Sequence, residues 1–463
     1  MRRLAVALVL LVAAPAHAAT RTETFDTDPG WSGSANRPST PCITRLNGFG
    51  VTAEGAVGGA FSRSVLFSEL AQPLAPARTL DDRLSAEGTL TVTESHAASG
   101  LLFGWHNRRS RNWRTNDSLM FRLDGEEPYA RAFIEYGTRS WLAGGDQDAG
   151  RGREIRLVEG RPYPWRLDYD PDRGTWRKGR LRLQIAGLQL AASLPPAARE
   201  DGATFDRFGF LGQMLEGPGS GQGQMHAFVD GLRLNGRGVG PFGWLARRAG
   251  PFADCTADRR ADFGYSPRTA HAGGRRGEAG GSLVAREIRR PPESAYGDRI
   301  GTLRLDRPFG AAGRVSLRRG SSGGDAYIGF YRARSIGDCD ESGVPRDLVA
   351  AHVGGPSRVG FLFAPIARGA HGKREDVDDV EDHAPRIPPD GRSHRWSLTY
   401  TPPAATGEPG RLDVTLDDAL VTLEVPRRLL VTGPRLNRFG LRGVDCSGHG
   451  LELYIDDVTY TSG

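Results

Sequence analysis

Aromatic, amide and charged side chains are concentrated in two short segments of the first half of the chain. Recognition of a sugar requires an aromatic face for its apolar C–H surfaces, and it requires paired hydrogen-bond donors or acceptors for its hydroxyl groups. Both requirements are met here, so the two segments form a candidate carbohydrate-binding site. Its members are Trp105, His106, Asn107, Arg114, Asn116, Glu135, Tyr136, Arg139 and Trp141.

The alternative interpretation of this cluster is structural. Aromatic residues in strands usually pack in a core, so Trp105 and Trp141 would be buried and the arginines would line a solvated sheet. The two interpretations differ in one observable property, because a binding site needs Trp105, Arg114, Glu135 and Trp141 side by side in an open groove.

Motifs for catalysis are few. The chain contains no G-x-S-x-G, no phosphate-binding P-loop and no H-E-x-x-H, so serine hydrolases, nucleoside triphosphatases and zinc peptidases lack support. The acidic run from Glu375 to Glu381 has no apolar alternation that would hold it in a sheet. It predicts a solvated loop.

The charge of the chain is positive and comes almost entirely from arginine. The net charge is +6, and Lys178 and Lys373 are the only lysines among 61 basic residues. These residues are scattered among 55 acidic ones without a basic stripe, which argues against nucleic acid as a partner. An acidic polysaccharide stays open as a ligand.

The first residues read as a leader. Arg2 and Arg3 precede an apolar run from Leu4 to Ala14, and the small residues around Ala18 form a cleavage site. This pattern predicts a signal peptide over residues 1–18 and an exported protein, either periplasmic or extracellular. No later run approaches the roughly 18 apolar residues that a membrane-spanning helix needs.

The sequence repeats itself once. Trp31 precedes Cys42 by eleven positions, and Trp244 precedes Cys255 by the same number. The collinear matches predict a tandem duplication with domains at residues 19–240 and 241–463. The further matches are 80–92 with 305–317, 102–110 with 327–335, 160–169 with 391–400, 179–185 with 410–416, 207–209 with 438–440, and 228–231 with 454–457.

Both halves show the alternation of half-buried strands. Trp165, Leu167 and Tyr169 alternate with polar residues, and the second half repeats this pattern. Near the end of each half the apolar positions change parity, at Asp230 and at Asp456, as a β-bulge would cause. With 63 Gly and 30 Pro as punctuation, the pattern predicts an all-β chain of antiparallel sheets.

A resemblance to a known superfamily follows from these motifs. The order G-R-x-x-x-W-x-L-x-Y, G-R-L, R-F-G and a closing strand with Asp-Gly or Asp-Asp resembles the concanavalin A-like lectin/glucanase jelly roll, which includes laminin-G-like domains. The resemblance covers residues 21–236 and 244–463. The first half also resembles secreted bacterial proteins of this superfamily that have no assigned activity. The expected fold is therefore two tandem concanavalin A-like jelly-roll β-sandwiches.

The resemblance also guides the functional predictions. In such jelly rolls sugars lie across the concave sheet, which implies a site on the concave face of domain 1. Related glucanases carry E-x-D-x-x-E on one strand, for which the acidic run at 375–381 is a poor match. Related alginate lyases use a Gln-x-His triplet, which Gln224-Met225-His226 matches without the companion tyrosine and lysine motif.

The cysteines and a few aspartates complete the candidate sites. Four cysteines without a CxxC pair predict disulfides rather than zinc ligands, and we favour Cys339 with Cys446 and Cys42 with Cys255 among three pairings, with free or intermolecular thiols as the alternative. We expect no cofactor, with a structural calcium ion as the one candidate. Its ligands would be Asp230, Asp456 and Asp457, for which turn capping is an equal explanation.

Together these observations predict an exported carbohydrate-binding or surface-interaction protein without catalytic activity. The alternative is a polysaccharide-degrading enzyme, a lyase or a glycoside hydrolase, with its site in domain 1. A third class is purely structural, with both concave faces covered. The sequence leaves the glycan and the oligomeric state open.

Overall fold

The computed structural model describes most of the chain in segments. No helix among these residues is long and apolar enough to cross a bilayer. The described residues are 19–34, 48–51, 55–62, 69–96, 99–110, 115–146, 154–175, 178–212, 224–240, 245–247, 263–267, 269–284, 294–320, 324–333, 344–355, 360–370, 375–376, 383–405, 407–431, 433–443 and 450–462.

Strands make up nearly all of the regular structure. Those of the first half, with one short helix, are β1 (Thr20–Glu23), β2 (Ser32–Ser34), β3 (Gly48–Val51), β4 (Val57–Ser62), β5 (Glu69–Thr79), β6 (Leu84–Ser95), β7 (Gly100–His106), β8 (Ser118–Gly125), β9 (Tyr129–Gly137), β10 (Ala143–Asp146), β11 (Ile155–Val158), β12 (Pro162–Asp170), β13 (Arg180–Ile185), β14 (Leu188–Ser193), α1 (Pro196–Asp201), β15 (Thr204–Leu211), β16 (Gln224–Leu234), β17 (Arg237–Gly238) and β18 (Leu245–Arg247).

The second half repeats the same order of elements. They are β19 (Phe263–Ser266), β20 (Glu278–Val284), β21 (Ser294–Leu303), β22 (Phe309–Gly320), β23 (Ala326–Tyr331), β24 (Leu348–Gly354), β25 (Leu362–Arg368), β26 (Glu375–Asp376), β27 (His394–Thr401), β28 (Gly410–Leu416), β29 (Ala419–Val425), α2 (Arg427–Val431), β30 (Leu436–Gly443) and β31 (Gly450–Thr461).

These strands form four antiparallel sheets that pack as two sandwiches. In the first sandwich, sheet 1A has the order β10-β9-β8-β7-β15-β5-β18 and sheet 1B the order β14-β13-β12-β6-β16-β4-β3. In the second, sheet 2A runs β26-β25-β24-β23-β30-β21-β2 and sheet 2B runs β29-β28-β27-β22-β31-β20-β19. The matching orders confirm the predicted fold class, two all-β sandwiches in tandem.

Alternation of side chains explains the core between the sheets. Trp165 on sheet 1B lies 5.4 Å from Phe103 on sheet 1A, measured between ring centroids, with the rings edge to face. Leu167 and Tyr169 point the same way and are buried, whereas Arg166 lies on the opposite face. Each sandwich therefore buries one face of each of its sheets, as the alternation predicts.

The two copies agree in backbone detail. A Cβ atom on Gly104 of β7 would lie 2.4 Å from the carbonyl oxygen of Leu119, and one on Gly329 of β23 would lie 2.5 Å from that of Val349. Only glycine fits at either position, because the neighbouring strand fills the space of a side chain. The same close contact in both copies supports their common origin.

The bulges expected near the end of each half are present. The pairing of β16 with β6 shifts register between Asp230 and Arg233, and the pairing of β31 with β22 shifts between Ala312 and Arg314, opposite Asp456. At the bulges Gly231 has φ +60° and Asp457 has φ +48°. The left-handed conformation suits glycine and aspartate, which explains these residue types.

Strand pairing crosses the domain boundary predicted at residues 240 and 241 in both directions. β18, from just beyond the boundary, pairs with β5 of sheet 1A. β1 and β2, from the start of the chain, pair with β31 and β21 of the second sandwich. The folded units are therefore shifted along the chain relative to the sequence repeat.

A tryptophan from the first sandwich is buried in the second. Trp141 follows β9, is fully buried, and stacks on Phe361 with 4.1 Å between the ring centroids and 6° between the planes. Its φ of +67° turns the chain towards the other copy. The Phe361 ring occupies the space beside Gly320, where a Cβ atom would lie 2.1 Å from the ring. This contact joins the two sandwiches through their cores.

We predict that Trp141→Ala lowers the free energy of unfolding by about 3–5 kcal/mol, because it removes a buried indole and leaves a cavity. Denaturant unfolding followed by circular dichroism is the measurement. Leu420→Ala is the control, since Leu420 is 54% exposed and should change stability by less than about 0.5 kcal/mol. If Trp141→Ala behaves like the control, the stacked pair does not join the sandwiches.

Candidate functional site

The nine residues of the predicted binding site do not share one face. Trp105 and His106 are neighbours in β7, and Glu135 and Tyr136 are neighbours in β9, so alternation sends each pair to opposite faces of sheet 1A. Trp105 is 2% exposed and packs in the core at 5.1 Å from Phe208. Tyr136 lies in the same core. Neither side chain offers a face to a sugar.

The remaining predicted residues lie in turns around this sheet. The Asn107 side chain donates a hydrogen bond to the carbonyl oxygen of Thr204 at 3.0 Å, and it accepts one from the backbone of Arg109 at 3.0 Å. Asn116 is buried and Arg139 is exposed. Arg114 lies outside the described residues. With Trp141 buried against Phe361, the described side chains of the predicted site do not line one open groove.

His106 and Glu135 lie on the same face of sheet 1A, and each of them has a charged partner there. The His106 ring contacts Glu69 with 2.8 Å between Nε2 and Oε1, and Arg122 Nη1 lies 2.8 Å from Glu135 Oε1. Arg207 Nε approaches the same Glu69 oxygen to 3.9 Å. We call these five residues the ionic face; they lie on the side of sheet 1A away from the core.

The ionic face is buried despite its charges. The side chains of Arg122 and Glu135 are 6% and 4% exposed, and that of His106 is fully buried. Sequence reasoning missed Glu69 and Arg122, which belong to no motif, and it used Arg207 only as part of the repeated R-F-G motif. The available signal was alternation, since Arg122 sits out of phase with Leu119, Phe121 and Leu123 in a strand whose other face is core.

The second copy has a different set of side chains on this face, in which His352 pairs with Asp325 at 2.6 Å. Pairing in the sheets makes Tyr331 the counterpart of His106 and Ile366 the counterpart of Glu135. Arg122 corresponds to His352, which stacks on Tyr327. Buried ion pairs are seldom more stabilising than apolar side chains of the same size. Stability alone therefore does not account for the ionic face of the first copy.

An open groove lies on the outer face of sheet 1B in the first sandwich. Its volume is about 700 Å³. We call it the arginine groove, because the described residues that line it include five arginines and two aspartates. The lining residues are Arg83, Leu84, Ser85, Arg166, Asp168, Tyr169, Asp170, Arg173, Arg180, Arg182, Gln189 and Asn235.

Cross-strand ion pairs order part of the groove. Asp168 on β12 accepts hydrogen bonds from Arg166 Nε at 2.9 Å and from Arg182 Nη2 at 2.8 Å. Asp170 lies 3.5 Å from Arg83 and 3.4 Å from Arg173. Arg180 is exposed, and within the described ranges no ion pair involves it. Arg83 and Arg166 also pair with Asp172 and Glu87, at 2.8 and 2.9 Å, so Arg180 supplies the positive charge of the groove that no carboxylate compensates.

The second copy lacks this arrangement. At the positions of Arg166 and Asp168 it has Ser397 and Thr399, by the pairing of β27 with β28. Ser397 is hydrogen-bonded to Thr415 at 2.7 Å instead. Of the strand arginines, only Arg180 has an arginine counterpart, Arg411. The arginine groove is therefore a property of the first sandwich.

The aspartates considered for calcium have different environments. Asp230 is exposed and accepts a hydrogen bond from the backbone of Gly231 at 2.7 Å. Asp456 makes the matching contact with Asp457 but is fully buried. Burial, and then the charges of Asp457 and Glu278, raise the pKa of Asp456 from 3.8 to about 7. Among the residues that the structure describes, no three His, Cys, Asp or Glu form a group that could hold a metal. The structural calcium stays a prediction.

The remaining candidates from the sequence are placed as follows. Met225 packs in the core, and His226 lies on the outer face of sheet 1B with its Nδ1 atom 3.3 Å from Glu94. Glu375 and Asp376 pair with β25, so the prediction of a loop is wrong for these two. The other residues of that acidic run, and the four cysteines with their predicted disulfides, lie outside the described ranges.

Comparisons with known proteins give fold-level similarity only. No known family matches the sequence, and no curated protein matches it. Three solved structures show the similarity. An alginate lyase from Pseudomonas aeruginosa is 18% identical over 34% of this chain and 65% of its own, with a TM-score of 0.22.

The alginate lyase Aly36B is 11% identical over 49% of this chain and 99% of its own, with a TM-score of 0.25. A legume lectin-like domain from Entamoeba histolytica is 9% identical over 40% of this chain and 84% of its own, with a TM-score of 0.24. The matched region spans just under two thirds of the first lyase. With TM-scores this low, none of the three assigns a ligand or a reaction.

We predict that Glu135→Ala lowers the free energy of unfolding by about 3 kcal/mol, because it leaves the buried Arg122 with less compensation of its charge. Thermal or denaturant unfolding measures the effect. Glu154→Ala is the matched control, since Glu154 also pairs with arginine but is 36% exposed, and its loss should change stability much less. Equal effects of the two substitutions would contradict a buried ionic face.

We predict that Asp456→Asn reduces the pH dependence of stability. With its pKa raised, Asp456 binds a proton more readily in the folded protein, so its contribution to stability falls as the pH rises from about 4 to about 7. Above that range the variant should be more stable than the parent by on the order of 2 kcal/mol. Thermal unfolding at pH 5 and pH 8 measures this difference. Asp230→Asn, the same substitution at the exposed equivalent position, is the matched control.

Proposed function

We propose that the chain is an exported, non-catalytic carbohydrate-binding protein, and that its first sandwich holds an acidic glycan in the arginine groove. The single observation that carries this proposal is the set of five arginines around one open groove on a rigid sheet. The export of the protein rests on the leader pattern of residues 1–18, and it is part of the proposal.

The chemistry of the groove suits a chain of carboxylated or sulfated sugars. Guanidinium groups bind carboxylate and sulfate oxygens with paired hydrogen bonds, and an arginine that is already held by an aspartate keeps further donors for a ligand. Arg180 offers its whole guanidinium group. Gln189 and Asn235 add amide groups of the type that bind sugar hydroxyls.

The spacing of the arginines also fits an extended ligand. They come from β12, β13 and the turns beside them, so they span neighbouring strands about 4.8 Å apart rather than a single point. Opposed pairs such as Asp168 and Arg182 are fixed by the register of β12 with β13. A polymer that crosses these strands would meet several cations in turn, which favours a polyanion over a small ion.

The groove is less suited to catalysis. The described residues that line it include no histidine or cysteine, and the hydroxyl group of Tyr169 donates to the carbonyl oxygen of Leu80 at 3.0 Å. Burial raises the pKa of Tyr169 to about 12. Arginine side chains stay protonated at neutral pH. These features support binding without bond cleavage.

We predict that the double variant Arg180→Ala, Arg182→Ala binds acidic polysaccharides at least 10-fold more weakly, because charge-assisted hydrogen bonds contribute about 1.5–3 kcal/mol each. Titration calorimetry with polygalacturonate, alginate and hyaluronan measures the affinity of the mature chain. Added salt should weaken binding by the parent protein, since the groove is exposed. A neutral glucan serves as the uncharged ligand.

Arg411→Ala is the matched control, because Arg411 occupies the position of Arg180 in the copy without the groove. It should bind like the parent. Assays for reducing ends and for unsaturated products accompany each glycan that binds. Equal losses in both variants, or binding to none of the glycans, would contradict the proposed site. Product formation would make the protein an enzyme and contradict the binding-only function.

A further inference from the structure

The start of the chain closes the second sandwich. Residues 20–34, which we call the N-terminal strap, contribute β1 to sheet 2B and β2 to sheet 2A. Four residues pair with the end of β31, from Thr20 opposite Thr461 to Glu23 opposite Val458. Three residues pair with β21. The strap therefore passes from one sheet to the other across the edge of the sandwich.

Between its two strands the strap inserts aromatic side chains into the core. Phe25 and Trp31 are 1% and 7% exposed. The ring of Trp31 lies 5.0 Å from that of Phe25, 5.6 Å from Tyr296 and 6.0 Å from Tyr460, by ring centroids. Burial of two aromatic side chains contributes several kcal/mol of transfer free energy. The second core is therefore completed by residues from the far end of the chain.

Polar contacts fix the register of the strap. Arg21 Nη1 donates to Asp298 Oδ2 at 2.5 Å, and the hydroxyl group of Tyr460 donates to the same oxygen at 2.7 Å. At the end of the ladder the backbone of Ser462 donates to the carbonyl oxygen of Ala19 at 2.7 Å. These contacts select one alignment of the strap on β31.

The first sandwich is closed by the equivalent segment from its own C-terminal side. There β17 pairs with β16, and β18 pairs with β5. In the second sandwich the last strand, β31, ends at Thr461, and the segment that closes the sheets comes instead from the N-terminal strap. The closing segments occupy the same positions in the sheets of the two sandwiches. In the first sandwich the segment follows the other strands in the sequence, and in the second it precedes them.

We propose that the end of β31 in sheet 2B and the strand β21 in sheet 2A together form a strand-acceptor site for residues 20–34. This site takes the segment from a second copy of the chain as well as from its own. All contacts of the strap with the site are non-covalent, and they would be identical in an exchanged dimer. Backbone pairing supplies affinity and the aromatic pockets supply specificity, as in other cases of strand addition. The tether keeps the strap at a high effective concentration, which favours the closed monomer.

The experiment uses the full mature chain with a specific protease site inserted directly after Ser34. After cleavage of the folded protein, the strap should stay bound through gel filtration. An excess of a fluorescent peptide of residues 19–34 should then replace it, as measured by anisotropy. The same peptide with Trp31→Ala should bind at least 100-fold more weakly, since a buried tryptophan is lost. Because the substitution is in the peptide, misfolding of the protein cannot explain its effect.

A second cleavage site in the exposed turn at Asp417 and Asp418 is the matched control. Protein cut there keeps its tethered strap and should not take up the peptide. Two uncut chains with different tags, unfolded and refolded together at high concentration, should form a mixed dimer that excess peptide prevents. Release of the strap on cleavage without loss of thermal stability, or failure of the two tagged chains to form a mixed dimer, would overturn the proposal. Equal binding of the two peptides would overturn it as well.

Discussion

The opposite orientation of successive side chains in a strand is the constraint on which both sandwiches depend. It places Trp165 in the core and Arg166 in the arginine groove, although the two are adjacent in sequence. It also separates Trp105 from His106. Neighbouring residues of a strand point to opposite faces of its sheet. Each sheet of this protein therefore has one face that must be apolar and one face whose residues can be substituted.

The two copies show how that freedom was used. Their inward faces are nearly interchangeable, since both rely on a tryptophan, a leucine and a tyrosine at alternate positions of β12 and β27. Their outward faces differ. The first copy has charged side chains at His106, Glu135 and Arg166, where the second has Tyr331, Ile366 and Ser397. The packing is alike in the two copies and the outer surfaces differ, which is why the proposed binding role concerns one sandwich only.

Much of the fold could be predicted from the sequence, because it rests on local patterns. Period-two alternation identified the strands, and the change of parity at Asp230 and Asp456 identified the bulges. The groove could not be predicted, since its arginines belong to different strands and turns and meet only through the register between strands. The ionic face could be predicted only in part. His106 and Glu135 were among the candidate residues of the aromatic cluster, but Glu69 lies in a distant strand and carries no local signal. The pairing of β1 and β2 with the second sandwich, and of β18 with the first, could not be predicted either, because local pattern does not specify the pairing partner of a strand.

The backbone hydrogen bond from Ser462 to Ala19 brings the first and last described residues into contact. Thr20 pairs with Thr461, far along the sequence, so the second sandwich carries a high contact order. During synthesis the strap emerges long before β31, its partner strand. The core around Trp31 therefore cannot be completed until β31 has been made. Until then Phe25 and Trp31 lack the partners that bury them, which leaves aromatic surface exposed to aggregation during that interval.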